Sequence, residues 1–391
     1  MTTDGTGVPE GPLHGLRVLD LSRVLAGPYC TMILADLGAT VIKVEHPDGG
    51  DEARGFLPMI DGASAYFAAV NRGKRSIALD LAADADRAIF QRLLAQADVL
   101  VENFRPGVMD RLGFGWPVLQ ARWPRLVVAS ISGFGQHGPY RERGAYDLIV
   151  QAMSGMMSLT GHPGQPPTRA GTSIGDLAAS VFAANGIQAA LLRRVRTGIG
   201  GRVDVAMLDC QVALLENAIA RCLVDGQAPP PLGARHSGAA PFDAFRAADG
   251  WLVIAAGNDA LFARLAQMLA SPQWLADERF ASRSARVAHQ AALKALIEER
   301  LTTADVADWL PRLEQTGVPA GPIQDVAAVL NDPQLAARGL LAPVQGTALL
   351  AAHTPIRLDD TPWPTTLPPA PALDEHRAEI LRLLDEGDTP R

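Results

Sequence analysis

The sequence predicts an α/β fold built on a mostly parallel β-sheet. Strand-like and helix-like segments alternate along the first 130 residues. The strand-like segments are short, continuous apolar runs, which is the pattern of strands buried on both faces. Apolar residues make up 48% of the 391 positions and charged residues 20%, so the chain can build a large core.

The alternation begins with one strand–helix–strand unit. Residues 17–21 (RVLDL) predict a buried strand, a helix follows from Pro28 to Leu37, and residues 40–45 (TVIKVE) predict a second strand. Strand, helix and strand within about thirty residues form a βαβ unit, whose strands pair in parallel.

The pattern continues to residue 132. We expect strands over 76–81, 98–104 and 126–132, and a helix over 84–97. Ligands of parallel sheets gather at the carboxyl ends of the strands. Three polar loops, 22–27, 103–107 and 133–140, follow predicted strands, so we expect them to surround the functional site.

The stretch from Gly144 to Asp176 joins two predicted helices through a loop of Gly, Pro and Thr. Tyr146 stands at the start of the first helix, and Gly175-Asp176 at the entrance of the second, 177–194. Asp176 has two interpretations. An Asp at a helix entrance is often an N-cap. It is alternatively a reagent, because the positive helix end keeps a carboxylate ionised and ready to attack an activated carbonyl. Spacing alone does not choose between them.

Composition excludes several classes of function. The net charge of −7, without a basic block, argues against nucleic acid as a partner. Cys30, Cys210 and Cys222 lack metal-ligand spacing and are odd in number, so we predict a reduced, cytoplasmic protein without a metal. The N-terminus lacks a signal-peptide pattern, and no apolar run reaches about 18 residues, so we expect no membrane partner. No G-x-G-x-x-G follows the first strand, which argues against a dinucleotide.

A Pro-rich run at residues 227–233 marks a change of composition. Beyond it, strand and helix patterns predict a smaller α+β lobe. We therefore expect a large domain over 12–226, the lobe over 227–325, and a return to the large domain over 326–391.

Seven stretches, taken in order, resemble the class III coenzyme A transferase family, which includes formyl-CoA transferase and carnitine-CoA transferase. They are LDLSRVLAGP at 19–28, DLGATVIKVEHP at 36–47, NRGKRSIALDL at 71–81, VENFRPG at 101–107, SISGFGQHGP at 130–139, GAYD at 144–147 and Gly175-Asp176. The resemblance runs from about residue 12 to the C-terminal helix. It implies a Rossmann-like large domain with an inserted smaller lobe, and an interlocked homodimer.

The resemblance also implies roles for particular residues. Asp176 stands at the position of the family's nucleophile. The positions matching coenzyme contacts are Val24, Leu25, Ala26, Lys74, Arg75, Asn103, Phe104, Arg111 and Tyr146. Lys74, Arg75 and Arg111 match basic positions around the nucleotide and phosphates. His46 stands where one member has Arg, which puts phosphate binding there in doubt. The residues alone allow other readings: a solvated turn for Lys74 and Arg75, and core packing for Phe104.

The implied reaction moves coenzyme A from an acyl-CoA to a carboxylic acid acceptor, through an aspartyl anhydride and an aspartyl-CoA thioester. Coenzyme A takes part as the acyl-CoA substrate. We expect the small residues Gly171, Gly175, Ala178 and Ala179 to let backbone N–H groups approach the oxyanion. Residues 235–245 and 249–251 resemble relatives that use dicarboxylates with succinyl-CoA.

Two alternatives remain. One is a 2-methylacyl-CoA racemase, which shares the fold and needs a histidine immediately before Asp147, where this chain has Tyr146. The other is a non-catalytic acyl-CoA-binding paralogue, against which the retained Asp176 argues.

Overall fold

The computed structural model describes residues 11–358 and 363–387. Its main element is a parallel sheet of six strands, which confirms the α/β prediction. The strands are β1 Arg17–Asp20, β2 Thr40–Glu45, β3 Arg75–Ala78, β4 Val99–Glu102, β5 Val127–Ser132 and β6 Gly201–Ala206. Their order in the sheet is β3-β2-β1-β4-β5-β6, and every neighbouring pair is parallel. The order reverses between β1 and β4, where doubly wound sheets bind ligands.

Alternation along the strands divides the core between the two faces of the sheet. Val18 packs with the helices Ala26–Asp36 and Ile174–Thr197 on one face. Leu19 packs on the other with the helices Asp84–Gln96 and Arg377–Gly387. Parallel strands buried on both faces are the reason for the continuous apolar runs in the sequence.

The helix Ile174–Thr197 is long and apolar enough to cross a membrane by length and composition. Its buried residues instead pack against the sheet and the helix Ala26–Asp36, as those of a core helix do. The sequence predicted no membrane span here, because no uninterrupted apolar run is long enough. The packing shows that this helix forms part of the core of unit one.

The chain forms two compact units. Unit one comprises residues 1–157, 169–227 and 333–391, and unit two comprises residues 158–168 and 228–332. The predicted bounds were 12–226, 227–325 and 326–391, and positions 359–362 and 388–391 of the last segment lie outside the described residues.

The remaining elements of unit one are short. Its other helices are Ala65–Asn71, Val108–Arg111, Trp116–Arg122, Asp147–Met153, Met207–Ala213, Asn217–Asp225 and Pro333–Arg338, and Met156–Leu159 lies at the boundary with unit two. Two antiparallel pairs join Met59–Ile60 to Ala63–Ser64 and Leu341–Pro343 to Leu350–Ala352. The predicted helix that starts at Tyr146 is divided into Asp147–Met153 and Met156–Leu159, because Gly155, at φ 91°, interrupts it.

Unit two has its own antiparallel sheet of Ala320–Pro322, Trp251–Ala255 and Phe242–Arg246, in that order. The helices of unit two are Asp259–Met268, Arg283–Ala288, Gln290–Leu301, Val306–Gln315 and Val326–Leu330. Asp305 is the N-cap residue of the helix Val306–Gln315, and the Thr303 hydroxyl donates to the Arg300 carbonyl.

Candidate active site

A cavity of about 200 Å³ lies where β1, β4 and β5 end, and the three polar loops that follow these strands contribute to its lining. It therefore lies beside the point at which the strand order reverses. Seven of the predicted site residues line it: Val24, Leu25, Ala26, Asn103, Phe104, Tyr146 and Asp176. The cavity brings together residues from Arg23 to Met207, which are 184 positions apart in the chain.

Asp176 is not an N-cap. The helix begins at Ile174, its N-cap is Ser173, and Asp176 is the third helical residue. The Gly175 N–H, one of the free donors at the helix end, donates to Asp147 Oδ1 at 2.8 Å. Asp147 thus does the work of the cap, which leaves the Asp176 carboxylate to face the cavity.

A buried amide network holds Asp147. Gln151 Nε2 donates to Asp147 Oδ2 at 2.7 Å, and Gln151 Oε1 accepts the Ala170 N–H at 2.9 Å. Asp147 is 7% exposed and Gln151 is fully buried. The network fixes the carboxylate of Asp147 beside the end of the nucleophile's helix.

Gln211, which the sequence did not single out, packs against Gly175. Its Oε1 accepts the Ser154 hydroxyl at 2.9 Å, and its buried Nε2 has no hydrogen-bond partner in the described part of the chain. A Cβ added to Gly175 would lie 2.3 Å from that Nε2, so glycine is required here for space. The expectation that the Gly175 N–H serves an oxyanion is wrong in this structure, because Asp147 already accepts it.

Burial and, after it, the neighbouring charge of Asp147 together raise the pKa of Asp176 to about 7. Position at a helix end favours the ionised form. Desolvation outweighs that effect here. Asp176 is consequently an acid that changes charge near neutral pH.

Tyr66 is a second residue that sequence reasoning missed. It lies on the helix Ala65–Asn71, and its pKa is raised to about 12 by burial and then by the charges of Asp176, Asp51 and Asp147. The phenol therefore stays neutral near the acid, as a potential hydrogen-bond donor.

The first loop of the cavity is held in a strained conformation. Val24 has φ 67°, a left-handed value that a β-branched residue rarely adopts. Its N–H donates to both oxygens of Asp51, and Lys43 Nζ donates to the Ser22 carbonyl at 2.8 Å. Lys43 and Asp51 form a fully buried ion pair at 2.9 Å. This pair supports the backbone of residues 22–26 from beneath.

The prediction that Lys74 contacts the coenzyme is wrong in this structure. Its side chain is fully buried, and Nζ donates to Asp20 Oδ2, the Pro28 carbonyl and Asn71 Oδ1 at 2.8–2.9 Å. Burial lowers the pKa of Lys74 to about 8, although Asp20 opposes that shift. Lys74 is a structural cation under the first loop.

Arg75 is also away from the cavity. It is adjacent to Lys74 in the chain, so it points to the other face of the sheet, where it pairs with Glu379 of the C-terminal helix at 3.0 Å. The prediction of a phosphate contact at Arg75 is therefore wrong for this conformation.

Arg111 lines a second cavity of about 570 Å³ next to the first. Its other cations are Arg105, Arg141 and Arg202, and Arg105 and Arg141 line both cavities. Sequence reasoning had missed these three arginines, which reach one place from the loops after β4 and β5 and from β6. The two cavities together are lined by six arginines and four acids, an excess of positive charge in a chain of negative net charge.

The second loop joins the first through Asn103. Its Oδ1 accepts the Arg23 N–H and its Nδ2 donates to the Arg23 carbonyl, both at 2.8 Å. The Arg23 guanidinium lies over the Phe104 ring, 5.2 Å from its centre. Tyr146 is 74% exposed, so its phenol is available to a ligand.

Among the residues that the structure describes, no histidine lines the cavity of Asp176. His46 lies 3.9 Å from Asp80 and His137 lies 3.6 Å from Asp204. His162 belongs to unit two, where its ring lies next to Gly233.

The sequence model of CoA-transferase family III matches residues 13–377. The chain belongs to this family. It is 46% identical over 381 residues to the acetyl-CoA:oxalate CoA-transferase of Acetobacter aceti, with 97% of each chain covered. It is 41% identical over 384 residues to the succinate–glutarate CoA-transferase of Agrobacterium fabrum, with 96% of each covered.

A solved structure agrees with the fold. The crystal structure of a CaiB/BaiF family protein from Brucella suis superposes with a TM-score of 0.87 at 43% identity, covering 96% of this chain and 100% of that one. This protein is therefore a family III CoA-transferase, an enzyme that uses CoA-thioester substrates and a carboxylate partner.

Proposed function

We propose that this enzyme transfers coenzyme A from an acyl-CoA to a dicarboxylic acid, with Asp176 as the nucleophile. One observation carries the proposal. Asp176 faces the cavity from the first turn of a helix, while a separate acid, Asp147, occupies the capping role. Asp176 is therefore free to react.

Four steps complete the transfer. The Asp176 carboxylate attacks the thioester carbonyl of the donor, the C–S bond breaks, and an acyl-aspartyl anhydride and CoA thiolate form. The thiolate attacks the aspartyl carbonyl, which releases the donor acid and leaves an aspartyl-CoA thioester. The acceptor carboxylate attacks that thioester to give a new anhydride and the thiolate. The thiolate then attacks the acceptor's acyl carbon, which forms the product and restores the Asp176 carboxylate.

The surroundings of Asp176 suit these steps. Burial makes its carboxylate poorly solvated, and at a pKa of about 7 a substantial fraction is still ionised at neutral pH. A dry pocket also protects the anhydride and thioester from hydrolysis.

We assign the coenzyme to these two cavities. The thiol end would lie against Val24, Leu25 and Ala26, close to Asp176, with Asn103, Phe104 and Tyr146 beside it. Arg111 and the second cavity would receive the phosphates. Lys74 and Arg75 take no part in this assignment.

The dicarboxylate class rests on the relatives. Those reported above are named for oxalate, succinate and glutarate, and residues 235–245 of this chain resemble such relatives. A panel of acyl-CoA donors and dicarboxylic acid acceptors would identify the exact pair.

We extend the proposal to the assembly. Unit two would be the inserted lobe of the family, and two chains would interlock as a homodimer in the cytoplasm. The exposure of large apolar side chains on helices of unit one supports the proposal of a dimer, because a partner chain would cover them. These side chains are Leu192, Val195, Leu223 and Val224, which are 62–84% exposed. Light scattering after size exclusion should give twice the chain mass of 41.4 kDa.

Trapping the anhydride tests the nucleophile. Incubation with acyl-CoA and hydroxylamine should convert the Asp176 side chain to a hydroxamate, which peptide mass spectrometry detects. Asp176→Asn should prevent both labelling and transfer while it preserves coenzyme A binding. Labelling at Asp147 or Glu52 in the wild type would refute the assignment.

A further inference from the structure

We propose that Arg143 binds the carboxylate of the diacid that does not react. This inference rests on the proposed function, because it concerns the second carboxylate of an acceptor whose first one meets Asp176. A diacid that reacts with Asp176 extends into the same cavity of about 200 Å³. Its distal carboxylate therefore needs a partner among the residues that line this cavity. A desolvated carboxylate needs a cation or several hydrogen-bond donors.

Four arginines line this cavity, and two of them are shared with the second cavity. Arg105 and Arg141 line both spaces, and Arg141 is in addition 3.1 Å from Glu142. Arg23 and Arg143 line only the cavity that contains Asp176. The distal carboxylate therefore has two exclusive candidates.

A second acid of the cavity disfavours Arg23. Glu52 also lines the cavity, and it follows Asp51, which accepts the N–H of Val24 immediately beyond Arg23. Because Glu52 adjoins in the chain the residue that holds the first loop, its negative charge disfavours a carboxylate at Arg23. Arg23 also lies over Phe104, in the loop assigned to the coenzyme.

Arg143 is both fixed and unneutralised. Its guanidinium lies 3.9 Å from the centre of the Tyr140 ring, and the backbone N–H of Arg143 donates to the Tyr140 carbonyl at 2.9 Å. Tyr140 in turn packs edge-on against Phe134. Within residues 11–358 and 363–387, no carboxylate lies within ion-pair distance of Arg143.

The consequence for the substrate is a preference for two carboxylates. A guanidinium held on an aromatic face presents its remaining donors to a planar anion in a bidentate geometry. A monocarboxylate of the same chain length would leave Arg143 without a partner in the cavity. The enzyme should therefore discriminate between diacid and monoacid through Arg143.

The experiment compares glutarate with pentanoate as acceptors for the wild type and for Arg143→Gln, Arg143→Lys and Arg23→Gln. Loss of a charge-assisted contact should lower the ratio of kcat/KM for glutarate over pentanoate on the order of 100-fold in Arg143→Gln. Arg143→Lys should recover part of the ratio, because it keeps the charge. Arg23→Gln should change both acids alike, and coenzyme A affinity should be unchanged in Arg143→Gln.

A binding measurement separates this inference from the proposed function. Calorimetry of glutarate and pentanoate with the enzyme and coenzyme A reports the preference even when no transfer occurs. Absence of transfer by the wild type would refute the function, while a glutarate preference that disappears in Arg143→Gln would still support the site. A preserved preference in Arg143→Gln, a loss of preference in Arg23→Gln instead, or weakened coenzyme A binding in Arg143→Gln would overturn it.

Discussion

Asp147 accepts the backbone N–H of Gly175 at 2.8 Å, so one carboxylate caps the helix on which the next residue, Asp176, carries the other. The cap brings a negative charge close to the nucleophile. Two acids at one helix end differ in role because Asp147 accepts hydrogen bonds from Gly175 and Gln151 and lies 3.9 Å from Arg169, whereas Asp176 lines the cavity.

Activity should depend on pH through Asp176. Its folded pKa is raised to about 7 by burial and by Asp147, and attack requires the ionised form. The rate constant kcat/KM should therefore rise with pH up to about 7 and level off above it. Asp147→Asn should move the midpoint to lower pH, since it removes the second cause. Glu52→Gln, which changes another acid of the cavity, should leave the midpoint in place. An unchanged midpoint in Asp147→Asn would contradict this account.

The effects of substitutions at Gly175 and Gln211 should depend on each other, because the two residues are in close contact at the start of the helix. Gly175→Ala puts a Cβ 2.3 Å from Gln211 Nε2, so it should cost about 1–3 kcal/mol of stability and reduce transfer. Gln211→Ala removes the clashing amide, whose Nε2 has no partner among the described residues. The double variant should regain much of the lost melting temperature and activity. Losses that simply add in the double-mutant cycle would show that the two positions do not interact.

Substitutions at Lys74 and Arg111 should have different effects: the first should lower stability, and the second should weaken coenzyme A binding. Lys74→Met leaves Asp20 as a buried charge without its cation, so it should lower the free energy of unfolding by about 3–5 kcal/mol. Arg111→Gln changes a residue of the second cavity and should weaken coenzyme A binding without lowering the melting temperature. Thermal melts and calorimetry measure both quantities. A stable Lys74→Met variant with weakened coenzyme A binding would restore Lys74 to the ligand site.

These residues show which features the sequence could predict. The strands were predictable, because a strand buried on both faces has a continuous apolar sequence. The Gly175-Asp176 pair was predictable as a helix entrance. The contact of Asp147 with Gly175 was not, since it joins positions 28 residues apart through a side chain. The burial of Lys74 depends on Asp20, 54 residues earlier. The arginines of the two cavities come from separate loops and a strand, so only the assembled sheet shows that they converge.

The racemase alternative requires a second proton carrier, and the described residues that line the cavity include no histidine for that role. A racemase removes the α-proton from one face of the acyl group and returns a proton to the other. Asp176 can serve one face. Tyr146 occupies the expected histidine position, so the imidazole that would accept a proton at neutral pH is missing there. We therefore expect 2-methylacyl-CoA in deuterated water to gain negligible α-deuterium by mass spectrometry, while a carboxylic acid acceptor in the same mixture receives coenzyme A. Asp176→Asn serves as the control for both signals. Rapid α-exchange without an acceptor would instead require another proton-transfer group near Asp176, and Tyr66→Phe would test the phenol whose pKa the charge of Asp176 raises.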